Sequence, residues 1–154
     1  MRRGFTLMEI MIVLAIIALL VGISVPGFLR ARLTANESAA RANLQTISVA
    51  MANYHTTSGG AYTGATLNGL ATATPPYFDT VLGCAAPPCA KSGYQFAEIA
   101  VDTAQTYFIW AEPVNANITG ISTFCVTDDG VVRRDPAGAD IANRAACLAL
   151  TPAE

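Results

Sequence analysis

Residues 5–29, FTLMEIMIVLAIIALLVGISVPGFL, decide the fold. They follow the opening MRRG, which holds two arginines and a glycine. The run is long enough to cross a bilayer as a helix, for which about 20 apolar residues suffice. It carries a single acid, Glu9, near its start. A carboxylate near a bilayer centre costs roughly 2.5–3.5 kcal/mol on insertion scales, so an acid inside such a run is a functional candidate. A secretory signal peptide has a shorter apolar stretch, about 7–15 residues, and a small-residue cleavage site behind it. Here the chain continues as Val25-Pro26-Gly27-Phe28-Leu29. A plain single-span anchor explains the length but not Glu9. A core helix of a soluble protein fits poorly, because a chain of 154 residues can hardly bury so wide an apolar surface.

The stretch Gly4-Phe5-Thr6-Leu7-Met8-Glu9 resembles the prepilin cleavage and methylation motif of type IV pilins and type II secretion pseudopilins. The resemblance implies that a membrane prepilin peptidase cuts between Gly4 and Phe5 and that the new amine of Phe5 is methylated. It implies assembly roles for Phe5, for Glu9, which would be fifth in the mature chain, and for Pro26, where the family often has a helix-bending proline. One departure is Ala18, which stands where pilins often have a glycine. The likeness is strong to about residue 60 and general beyond it.

The resemblance further implies a structural subunit of a type IV pilus and no enzyme. Its precursor would sit in the bacterial inner membrane against lipid, meet an inner-membrane assembly platform, and self-assemble by helix packing into an extracellular filament. A minor pilin, or a pseudopilin of a periplasmic pseudopilus, is the alternative within the class. A membrane-anchored periplasmic binding domain is the alternative of another class. Adhesion, motility, DNA uptake and secretion are properties of a whole filament.

The helical pattern does not stop at Leu29. No proline or glycine occurs from Phe28 to His55, and apolar residues recur at Leu29, Leu33, Ala40, Leu44, Ile47, Met51 and Tyr54. Steps of three, four and seven make the narrow stripe of an amphipathic helix. Arg30, Arg32, Asn36, Glu37, Arg41, Asn43 and Gln45 fall on the other face, and Ser58-Gly59-Gly60 ends the helix. A helix over about 5–57 is roughly 80 Å long. Residues 58–92 are linker-like, with a short helix expected near 65–71. Strand signals follow at Tyr94–Val101, Thr106–Ala111 and Ser122–Thr127, where β-branched and aromatic residues dominate. Asp129-Gly130 predicts a two-residue hairpin returning through Val131–Arg134. The expected fold is α+β: a long N-terminal helix with a small antiparallel sheet packed on its second half. The expected organisation is a cleaved leader at 1–4, a membrane and filament-core half at 5–29, and an exported globular domain at 30–154.

Charge and cysteines bound the function. The formal net charge is −2. Without a basic tract the global charge gives no argument for nucleic-acid binding. The leader arginines fit a cytoplasmic start. Four cysteines in an exported domain suggest two disulfides, with three connectivities open. Cys84–Cys89 and Cys125–Cys147 are favoured because each pair is local, and a crossed pairing stays open. The second link would stabilise by roughly 3 kcal/mol in the chain-entropy model. No metal or cofactor is expected. Asp128, Asp129, Asp135 and Asp140 lack the repeated spacing of a calcium loop, and His55 is the one histidine, so neither a zinc site nor a catalytic triad is built. Asn36-Glu37-Ser38 and Asn117-Ile118-Thr119 match glycosylation sequons, a pattern that arises by chance.

Overall fold

Helix α1 occupies Leu7–Thr57 of the computed structural model, which describes residues 5–153, with side chains described except at positions 23, 24 and 26. Thr6 starts the helix. Its carbonyl accepts from the Ile10 N–H (3.4 Å) and its hydroxyl from the Glu9 N–H (3.2 Å), which is how a threonine N-cap satisfies an orphan donor. At the far end Gly59 and Gly60 adopt φ of +79° and +87°. That left-handed backbone suits glycine and stops the helix.

The chain divides between Arg32 and Leu33 into two compact units. In the first, the described large apolar residues lie exposed on every side of the helix, from 46% at Val13 to 80% at Phe5. In the second, the stripe expected from spacing is the buried one. Ala40, Leu44, Ile47 and Met51 are covered completely, while Leu33 and Tyr54 are half-buried.

The sheet that covers this stripe is antiparallel throughout. Its strands are β1 (Cys89–Lys91), β2 (Tyr94–Phe96), β3 (Ala100–Thr103), β4 (Thr106–Pro113), β5 (Thr123–Thr127), β6 (Arg133–Asp135) and β7 (Thr151–Pro152). The order is β1-β2-β4-β5-β6-β7, with β3 beside β4. Tyr94, Phe96, Tyr107, Ile109, Phe124 and Val126 join the α1 stripe in the main core. Each such side chain, fully buried, contributes about 1.5–3 kcal/mol of transfer free energy. The other cluster gathers Phe108, Cys125, Ile141 and Cys147. The long helix followed by a small antiparallel sheet is the α+β arrangement the sequence predicts.

Four local details differ from expectation. The first strand is split into β2 and β3, because Glu98 turns its carboxylate to the N–H groups of Leu67 (2.8 Å) and Ile99 (3.0 Å). It thereby holds the first turn of helix α2 (Leu67–Thr72), whose N-cap is Thr66. The hairpin at Asp129-Gly130 is longer than two residues: the paired register begins only at Cys125 opposite Arg133. The Asp129 carboxylate accepts from Thr127 Oγ1, Val131 N and Arg133, which bends the chain inward before pairing can resume. The segment 58–92 contributes strand β1. Finally, the C-terminal stretch carries helix α3 (Arg144–Leu148), capped by the Asn143 side chain, and strand β7 on the outer edge of β6.

Candidate assembly site

The residues singled out at the chain start fall into three places. Gly4 lies outside the described residues. Phe5 is exposed, just ahead of α1. Glu9 sits in the first helical turn, exposed, three residues after the Thr6 cap. Among the described residues no ion pair involves Glu9. Thr6-Leu7-Met8-Glu9 has the threonine-x-x-glutamate order of a capping box, with the threonine half of that exchange formed here. A carboxylate in the first turn also faces the positive end of the helix dipole. The sequence pattern contained this signal, and spacing alone would have found it.

Beyond Glu9 the helix offers one chemistry. Met8, Met11, Leu14, Ile17, Leu19 and Leu20 lie on different sides of the axis, and each is half-exposed or more. A helix apolar all round is stable only against lipid or against other apolar helices. It is long and apolar enough to cross a membrane. α1 continues through Pro26 without a break, although proline has no N–H for the Gly22 carbonyl. A Cβ built on Gly22 or Gly27 meets nothing within 4 Å, so in a single subunit neither glycine is required by a close contact.

In the second unit, sequence reasoning placed Asn36, Glu37 and Arg41 on a solvated face. The structure turns them to the sheet side. Asn36 Nδ2 donates to the Thr119 carbonyl (2.8 Å). Glu37 Oε1 accepts from the backbone N–H groups of Ile121 and Ser122, both at 3.1 Å. Arg134 approaches Glu37 at 3.7 Å and donates from Nε to Ser122 Oγ at 2.8 Å. The Arg41 guanidinium lies 6.0 Å from the Phe124 ring centre. Tyr94, buried completely, donates its hydroxyl to the Ser122 carbonyl (2.8 Å). Burial first, then the Glu37 charge, raise the Tyr94 pKa, with Arg134 acting against them. No pattern in the sequence marks this latch, because most of its partners are backbone groups far away in the chain.

Cys84 is bonded to Cys89 and Cys125 to Cys147, with Cα separations of 5.5 and 6.1 Å. Three of the acids near the C-terminus have partners of their own. Asp128 takes Arg144 through two bonds (2.6 and 2.8 Å), and Asp129 takes Arg133 at 2.6 Å. Burial opposes ionisation of Asp129, but hydrogen bonds from Arg133, Val131 N and Thr127 outweigh it and hold its pKa at about 2. Asp135 accepts from the N–H groups of Ala137 and Ala139. Among the described residues no three His, Cys, Asp or Glu side chains converge as metal ligands. His55 bonds Gln105 (3.0 Å) and lies against Tyr62.

Comparison with known proteins agrees with the chain start. Residues 1–25 match the family model described as the prokaryotic N-terminal methylation motif. The type IV major pilin protein PilA of Myxococcus xanthus (strain DK1622) is 40% identical over 53 residues. That match covers 34% of this chain and 24% of the relative, so the chain spans about a quarter of the length of the relative it matches. No solved structure gives a significant match. The motif, the relative and the helix-plus-sheet fold bear out the resemblance to the type IV pilin family.

Proposed function

We propose that this chain is a structural subunit of a type IV pilus. One observation carries the reading: from Phe5 to Leu29 the described large apolar side chains are exposed all round the helix, and the motif that opens it holds the single acid of that run, Glu9. Such a surface needs lipid before assembly and neighbouring helices after it. Prepilin peptidase cuts between Gly4 and Phe5, and the Phe5 amine is methylated. The cut creates an α-amine with an ordinary pKa near 8, largely charged at neutral pH. Inside a packed filament that amine and Glu9 both lie in apolar surroundings, where an unpaired ion costs several kcal/mol. Pairing Glu9 with the Phe5 amine of a neighbour offsets that cost and sets the axial register. Pro26 has no N–H to give the helix, a point where the helix can yield during packing. No catalytic role is assigned to any residue, and the globular part stays outside the membrane with its disulfides formed.

The test is the mature N-terminus of the native protein by mass spectrometry, together with imaging of cells lacking it. A methylated chain starting at Phe5 and loss of all filaments are the expected results. A chain still starting at Met1, or cut after residue 25, removes the reading. Filaments that persist while secretion fails would move the chain to the pseudopilin alternative.

A further inference from the structure

Side chains along β4 alternate between two faces of the sheet. Tyr107, Ile109 and Ala111 point into the main core, so Phe108, Trp110 and Glu112 line the opposite face. On β2, Gln95 sits between the core residues Tyr94 and Phe96 and pairs in register with Glu112. On this opposite face Gln95, Trp110 and Glu112, with Glu98, Pro87 and Pro88, line a cavity of about 240 Å³. Sites for whole drug-sized ligands run from about 300 to 1,000 Å³, so this one has room for a single long side chain. All of it lies in the second unit.

The charge of the cavity has one sign. Two carboxylates line it, and no lysine, arginine or histidine does. Among the described residues neither Glu98 nor Glu112 forms an ion pair. Each is engaged through one oxygen only. Glu98 Oε1 accepts from Leu67 N and Ile99 N, and Glu112 Oε1 accepts from Gln95 Nε2 at 2.5 Å. The second oxygen of each is left for a donor from outside the chain.

Trp110 adds a second attraction for a cation. Phe108 stacks on the indole with ring centres 5.2 Å apart and planes 17° apart, which covers one side of it. Phe108 precedes and Glu112 follows Trp110 on the same face of β4, so the remaining side looks toward Glu112. An aromatic face is negative, and a cation seated on it beside a carboxylate meets both at once. The walls are also held in place. The Cys84–Cys89 bond closes the loop that carries Pro87 and Pro88, and Ala97 N donates to the Trp110 carbonyl (3.1 Å). A site built beforehand loses little conformational entropy when it is filled.

We propose that this cavity takes the guanidinium end of an arginine side chain from a partner protein. A planar guanidinium stacks on an indole while its N–H groups reach carboxylates, and it sheds water more readily than an ammonium. A bare metal ion would leave the ring unused, and no three ligating side chains converge among the described residues. Free arginine is a poorer occupant than arginine within a chain, because its own carboxylate would meet only acids. The site is an addition to the subunit reading and does not depend on it.

The test uses the full chain in detergent micelles, disulfides intact, and reads Trp110, the one indole in the sequence. Its emission and its N–H resonance are followed as a capped pentapeptide, glycine on both sides of a central arginine, is added. A saturable change in the millimolar range is expected. The same peptide with citrulline, which keeps the shape without the charge, is expected to bind at least about tenfold more weakly. The lysine peptide and free arginine are each expected to bind more weakly too. Glu112→Gln, with an unchanged near-ultraviolet circular dichroism spectrum, is expected to weaken the arginine peptide by about tenfold. If that variant misfolds, the peptide comparison on the unaltered chain decides alone. No saturable change in either signal overturns the proposal, as does equal binding of the citrulline peptide or undiminished affinity in folded Glu112→Gln. Equal binding of the lysine peptide overturns the guanidinium assignment, and equal binding of free arginine overturns the protein source. None of these results touches the mature N-terminus, so the subunit reading stands or falls separately.

Discussion

Replacing Glu37 with alanine removes the one side chain that accepts from both Ile121 N and Ser122 N. Two charge-assisted hydrogen bonds of 3.1 Å are lost. Bonds to a charged group are worth roughly 1.5–3 kcal/mol each. The Ile121 N–H is exposed and regains water, whereas the Ser122 N–H is part-buried and regains it poorly. The net loss is therefore about 2–3 kcal/mol, not the full sum. The ion pair with Arg134 adds little. Its separation is 3.7 Å and the arginine side chain is 45% exposed, which puts it at about 0.5 kcal/mol or less. Backbone capping, not charge pairing, should dominate. Glu37→Gln keeps one neutral acceptor oxygen and should cost about 1 kcal/mol. The assay is urea unfolding of the full chain in detergent micelles, disulfides intact, followed by near-ultraviolet circular dichroism. That signal reports the packed aromatics of the second unit and not the apolar helix. A loss below about 0.5 kcal/mol for Glu37→Ala, or a strong salt dependence of that loss, would refute the capping argument.

Three further outcomes are expected. Glu9→Val takes a charge out of the apolar run, so insertion and cleavage should survive while assembly fails; normal filament numbers by electron microscopy would show that Glu9 does not determine assembly. Cys147→Ser should cost about 3 kcal/mol because it frees α3 from β5, and non-reducing peptide maps of the unaltered protein should show the links 84–89 and 125–147. For pH, Asp129 is held at about 2 in the folded chain, below the ordinary value near 3.9 for an unfolded aspartate. Its stabilisation is present above pH 4 and lost as pH falls toward 2; solvent exposure reduces it to about 1 kcal/mol, and Asp129→Asn measured by urea unfolding at pH 6 and at pH 2.5 should show the difference shrinking.

The long helix was legible because period and length say the same thing: an all-round apolar run, then a stripe at 40, 44, 47 and 51. Strand existence was legible from aromatic and β-branched runs. What escaped the sequence depended on a side chain serving a distant backbone. Glu98 reads as a mid-strand residue until α2 is there to be capped. Glu37 reads as a solvated acid until the β4–β5 loop arrives. Asp129 reads as a plain turn residue until Arg133 reaches back to it. Helix α3 is too short for periodicity to reveal, and β1 and β7 exist only because an edge was there to extend. At the candidate assembly site, the motif around Phe5 and Glu9 was readable at once because its chemistry is local.

The outer strands of the sheet bear on the assembly proposed above. Open strand edges invite further chains to add on, one backbone to the next. Here β7 is two residues long and ends at Pro152, which has no N–H to donate. At the opposite edge β1 is three residues long, follows Pro87-Pro88, and carries Lys91. These two strands are thus poor templates for a second sheet. Under the proposed assembly, these edges give neighbouring subunits little to add to, and the apolar helix is the surface on which they would join.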